Sequence, residues 1–180
     1  PQTEVLKDRN IEILYFTENT DEFIPDIFRN YKEKSFMSVI DGDFDLGGGK
    51  NDEKMTETFR ETFDFVKETL GDKVDVVKAT TKLKSHPVCL SSDGGMISIE
   101  MEKVLNSMPQ NDANRVKADK ALEINPNHEI SGRLQKLYAE DKDTLKDYTK
   151  LLYDQALLIE GLSIDDPVEF ANLVCKLMIK

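Results

Sequence analysis

Asp41, Asp43 and Asp45 occupy the first, third and fifth positions of a calcium-loop pattern. The sixth position, where a sharp turn needs Gly, is Leu46. The twelfth, where a bidentate Glu closes the coordination sphere, is Asp52. The stretch therefore reads as an acidic, solvated linker. Gly47, Gly48, Gly49 and Lys50 resemble a phosphate loop but miss the GxxxxGK[ST] spacing. His86 and His128 each neighbour a turn proline, and neither has a Cys, His or carboxylate partner at ligand spacing. No Ser, His and Asp combination singles out a nucleophile. Cys89 and Cys175 read as reduced and buried. The expectation is a chain with no catalytic residue, no metal ligand and no cofactor of its own.

Bulk properties narrow the partners. A net charge of −11 with no basic stripe excludes nucleic acid, whose binding relies on Lys and Arg displacing counterions. The same lack of basic patches argues against an anionic membrane surface. No apolar run approaches the roughly 20 residues that span a bilayer, and no signal peptide is evident. With 39% hydrophobic residues the chain can still build a core. It opens on Pro1 without an initiator Met, which predicts a piece of a longer protein.

The elements that would position any site fall into two groups. IEILYF (11–16) reads as a buried strand, a helix runs from Asp21 to about Tyr31, and SFMSVI (35–40) reads as a second strand. That order predicts a small α/β unit with a parallel pair. Four of the nine glycines fall in the polar 41–54 stretch, which marks the boundary between a unit at 1–50 and one at 51–180. In the second, a helix spans about Asp52 to Leu70. Strands follow at VDVVKATTKL, PVCLSS and KALEIN, then helices over about 129–138, 143–160 and from Pro167 onward. The class is α+β: the small α/β segment, then a three-stranded sheet with helices.

Three helices carry more information than the supposed sites. In SSDGGMISIEMEKVLNSMPQN, Ile97, Met101, Val104, Leu105 and Met108 share one side at 100° per residue. Ile99 falls on the polar side, and Met96 projects from the glycine-flanked start. Such a stripe usually faces a core, yet methionine is a flexible side chain suited to adaptable binding surfaces. Both readings stay open on these residues alone.

The last two helices are apolar around most of their girth. They involve Tyr148, Leu151, Leu152, Gln155, Leu158 and Ile159 in one, and Phe170, Leu173, Val174, Leu177 and Met178 in the other. A helix of that kind must be surrounded. Pairing with a second copy would complete an intermolecular four-helix bundle about a two-fold axis, so the chain is expected to be a homodimer.

LEINPNHEISGRL and LLYDQALLIEGLSIDDPVEFANLV closely resemble the carboxy-terminal region of the ninety-kilodalton heat-shock chaperone family, bacterial HtpG (high-temperature protein G) type. IEILYFTENTDEFIPDIFRNYKEKSFMSVIDGDFDL is similar to the end of that family's middle domain, so the resemblance covers nearly the whole chain. It implies that 1–50 closes a middle domain and 51–180 is a dimerisation domain. It also implies that GGMISIEMEKVL is an amphipathic helix holding unfolded or partly folded client proteins.

Ile97 and Met101 match the client-facing positions, and Ser98 and Lys103 keep the family pattern. At Ile97 related bacterial sequences carry Met. Met96, Ile97, Ile99, Met101, Val104, Leu105 and Met108 are thus the expected client-binding residues. ATP and magnesium, by the same resemblance, belong to an amino-terminal domain of the parent. The chain ends in LMIK, without the acidic tail of cytosolic eukaryotic members or a retention signal, which predicts a bacterial cytoplasm. The alternative reading is a module that dimerises and couples motion without touching clients.

Overall fold

The structure, a computed structural model, describes residues 2–18, 21–39, 49–107 and 116–179. Asp41, Asp43, Asp45, Gly47, Gly48 and Met108 lie outside the described residues. In chain order the elements are α1 (Glu4–Asp8), α2 (Ile24–Phe28), β1 (Asn30–Tyr31), β2 (Lys34–Ser35), α3 (Gly49–Thr58), α4 (Arg60–Leu70) and β3 (Val76–Ala79). β4 (Val88–Ser92), α5 (Ile99–Ser107), β5 (Lys120–Ile124), α6 (Glu129–Glu140), α7 (Lys142–Ile159) and α8 (Pro167–Met178) complete the mixed α+β architecture.

β5, the KALEI stretch, is the centre of a three-stranded sheet, with β3 parallel on one edge and β4 antiparallel on the other. Its register puts Val77, Leu122 and Leu90 in one row, and Ala79, Ile124 and Val88 in the next. Because side chains alternate across a strand, all six share one face, and all belong to the core. Helices α4, α6 and α7 supply the rest of that core through Phe63, Val66, Leu134, Leu137, Leu145 and Leu152, among others. Lys78, Glu123, Cys89 and Ser91 share the opposite, polar face.

The helix starts follow from their caps. His128 accepts the Ile130 N–H through Nδ1 at 3.2 Å, and Asp141 accepts from the Thr144 N–H at 2.9 Å. Asp166 bonds the N–H groups of Val168 and Glu169 just ahead of Pro167. The helix expected from Asp52 is two, α3 starting at Gly49 and a break at Phe59. The rings of Phe59 and Phe63 stack 5.4 Å apart.

The first unit departs from expectation. Residues 11–17 form no strand, and Leu14 and Tyr15 are 58% and 65% exposed. An apolar run becomes a buried strand only where a sheet offers it ladder partners and cover. Asp21 does not cap forward: its carboxylate accepts from the N–H groups of Thr17 and Glu18, and α2 ends at Phe28. The expected second strand is only the far arm of an antiparallel hairpin, β1–β2. Lys32 and Glu33 both take positive φ in its two-residue turn, the twist that such hairpins favour.

Candidate functional site

The residues singled out for chemistry are occupied with structure. Glu4 gathers the loop at 84–86: its carboxylate accepts from the N–H groups of Lys84 (2.9 Å) and Ser85 (3.1 Å) and from the Ser85 hydroxyl, with His86 Nδ1 3.1 Å away. Burial alone would raise that carboxyl, but these bonds outweigh it and hold the group at about 2. Cys89 is sealed in the sheet, where burial pushes its thiol well up and makes it inert. Cys175 is exposed on α8, contrary to expectation, because the side of α8 that carries it is uncovered.

A groove of about 820 Å³ between α3, α4 and β3 has Glu123 among its lining residues. That carboxylate is taken by the Ser91 hydroxyl (2.8 Å) and by the ammonium groups of Lys78 and Lys82 at 3.7 and 3.9 Å. Among the described residues no three of His, Cys, Asp and Glu converge to hold a metal ion.

Helix α5 is seated in an unusual way. A Cβ on Gly95 would lie 2.5 Å from Asp119 Oδ2, so any larger residue there would have to displace that carboxylate. The Ile99 N–H then donates to Ser92 Oγ at 3.3 Å, and Ser98 Oγ accepts from the Met101 N–H at 3.0 Å. One turn on, Glu102 Oε2 accepts from the Ala118 N–H (2.7 Å) and from Lys120 Nζ (2.5 Å). Asn106 bonds both the N–H and the C=O of Val116. Ser92 and Lys120 are cross-strand partners on β4 and β5. The side of α5 against the domain is therefore Ile99, Glu102 and Asn106.

Met101, Val104 and Leu105 fall on the other side of the helical wheel, and Ile97 precedes the helix. Ile97, Met101, Val104 and Leu105 are half-buried, Ile97 packs against the core, and Met96 is wholly exposed. Ile99 departs from its expected role. Only 2% exposed within the core, it is a seat residue and not a contact for another molecule.

The terminal helices divide similarly. On α7, Leu152 lies in the chain's own core, while Tyr148, Leu151, Gln155 and Ile159 are half-buried and Leu158 is exposed. On α8, Leu173 is buried by its own chain, and Phe170, Val174 and Leu177 are half-buried. Leu152 and Leu173 thus fall out of the expected interface set, since the protomer already covers them. Met178 is 80% exposed, and Val168 and Ile179, which were not in that set, are exposed as well. Ion pairs between Lys150 and Glu169 (2.7 Å) and between Lys176 and Asp147 (2.5 Å) hold α8 on α7. No described helix is long and apolar enough to cross a membrane.

A family model described as Hsp90 protein matches residues 1–180. The chain belongs to the Hsp90 protein family. Among its relatives, "Chaperone protein HtpG" of Clostridium perfringens (strain ATCC 13124) is 52% identical over 178 residues, 99% of this chain. The proteins of the same name from Clostridium acetobutylicum and Bacillus subtilis (strain 168) are 55% and 50% identical, again over 99% of the chain. This Hsp90-family chain spans 28% of the length of the two clostridial proteins and 29% of the Bacillus one.

By helical spacing Glu102 and Asn106 fall on the polar side of α5, where solvent would be expected, and no sequence motif marks Lys120. One signal for them does exist. Lys120 shares its strand face with Leu122 and Ile124, and a lysine on a core-facing strand position requires a buried acceptor.

Proposed function

We propose that this chain is the homodimerising, client-holding portion of an Hsp90-type chaperone, with residues 1–50 closing one domain and 51–180 forming the next. The observation that supports it is the seat of α5. A helix fastened by Glu102 and Asn106 keeps Met101 and Val104 on the side turned from its own sheet, with Met96 wholly exposed just ahead of it. Flexible methionines there suit segments of varied shape. The exposed apolar residues of α7 and α8 are the proposed contact with a second copy. Two α5 helices in one dimer would then add weak contacts through effective concentration. A cytoplasmic setting fits the bacterial relatives. No chemical step is proposed for this chain; ATP and magnesium are assigned to parts of the longer protein outside it.

The test replaces Met96 and Met101 with Glu. The variant is expected to keep its solution mass and circular dichroism, and to need about tenfold more protein to suppress aggregation of a chemically unfolded model client. Suppression equal to wild type would leave only the dimerising, coupling role.

A further inference from the structure

Helix α5 raises a problem of register. Met101, Val104 and Leu105 make its more apolar side, and burying those three against the sheet would remove more apolar surface from water than burying Ile99 alone. The helix sits on the other side all the same. Asn106 does not explain this, because an amide can exchange its backbone partners for water at little net cost.

Glu102 and Lys120 differ in kind. Their side chains are 15% and 5% exposed, 2.5 Å apart, and the same carboxylate oxygen also takes the Ala118 N–H. Rolling α5 by about half a turn would withdraw that carboxylate. It would leave an ammonium, and a backbone N–H, where little water reaches. A buried ion pair adds little net stability, but losing one partner alone is strongly unfavourable. That asymmetry penalises the alternative packing more than it favours the observed one. Lys120 is also in register with Ser92, which holds the Ile99 N–H, so the sheet grips α5 at two successive turns.

We propose that Glu102 and Lys120 are a positioning pair that sets the rotational register of α5, keeping Met101 and Val104 turned away from the sheet. The pair touches no client. Its functional meaning rests on the client-holding reading above; its structural content does not.

The experiment removes both charges, Glu102→Ala with Lys120→Ala, so that neither is left buried alone and no large apolar side chain is added to the seated side of α5. Brief exposure to hydrogen peroxide followed by peptide mass spectrometry gives the oxidation rate of Met101, with wholly exposed Met96 as an internal reference. The Met101 to Met96 ratio is expected to fall about tenfold as the helix rolls inward, and aggregation suppression to fall with it. Lys120→Arg, which keeps the charge, is expected to retain the wild-type ratio.

An unchanged ratio in the double variant overturns the register assignment, and so does an equal fall in the arginine variant. A lowered ratio with undiminished client suppression upholds the register and removes the client reading instead. If the double variant does not fold, Glu102→Gln serves. Amide exchange in α5 is then expected to accelerate while β4 and β5 keep wild-type rates, and unchanged α5 exchange overturns the proposal.

Discussion

Inside α7, the hydroxyl of Thr149 is buried with no hydrogen-bond partner among the described residues. Exchange for the isosteric methyl of valine removes that orphan and leaves the packing alone. Thr149→Val is therefore expected to raise stability by about 1 kcal/mol in urea unfolding. Glu4 is the opposite case, a carboxylate that accepts three hydrogen bonds from Lys84 and Ser85 with His86 Nδ1 close by. Its folded value of about 2 lies below the ordinary 4.5. The stability it contributes is present in full above the unfolded value and is lost as pH falls from 4.5 toward 2. Glu4→Ala is expected to cost about 1–2 kcal/mol at neutral pH. The gap from wild type should close across that acid window when unfolding is followed at stepped pH. Neither residue was legible in the sequence, because the partners of Glu4 lie some eighty positions away and Thr149 looks like any helix threonine.

Among the elements, α8 announces itself most plainly, with Asp166 capping and Pro167 in the first turn. Removing the cap with Asp166→Ala is expected to cost about 1 kcal/mol of helix stability, visible as faster amide exchange through α8 while α6 holds its rate. The three sheet strands and α6 were equally legible, since period-2 alternation, caps and turn residues are local signals. The run at 11–16 was not. Its composition is that of a strand, yet strand formation is decided by whether a neighbouring edge is offered. For α5 the periodicity put Met101, Val104 and Leu105 on one side but said nothing about which side the domain would take, and Ile97 falls before the helix begins.

At the scale of the whole molecule, Val168, Met178, Ile179 and Leu158 remain uncovered in one protomer. Each exposed aliphatic side chain forgoes roughly 1.5–3 kcal/mol relative to burial, so a second copy is the expected cover. Solution mass across a concentration series should give about 41 kDa, twice the 20.5 kDa chain. Val168→Asp with Met178→Asp should return the monomer mass with the fold intact. A monomeric wild type would remove the two-copy clamp. By itself, the sequence determined the α+β class, the three sheet strands, the caps of the last helices and the membership that NPNH and LLYDQALL signalled, because each is written in neighbouring residues. The tertiary structure alone decided that Leu152, Leu173 and Ile99 are interior and that α5 rests on Glu102 and Asn106. Those outcomes depend on what a side chain meets across the fold, and a buried charge such as Lys120 can overrule the hydrophobic pattern that sequence makes visible.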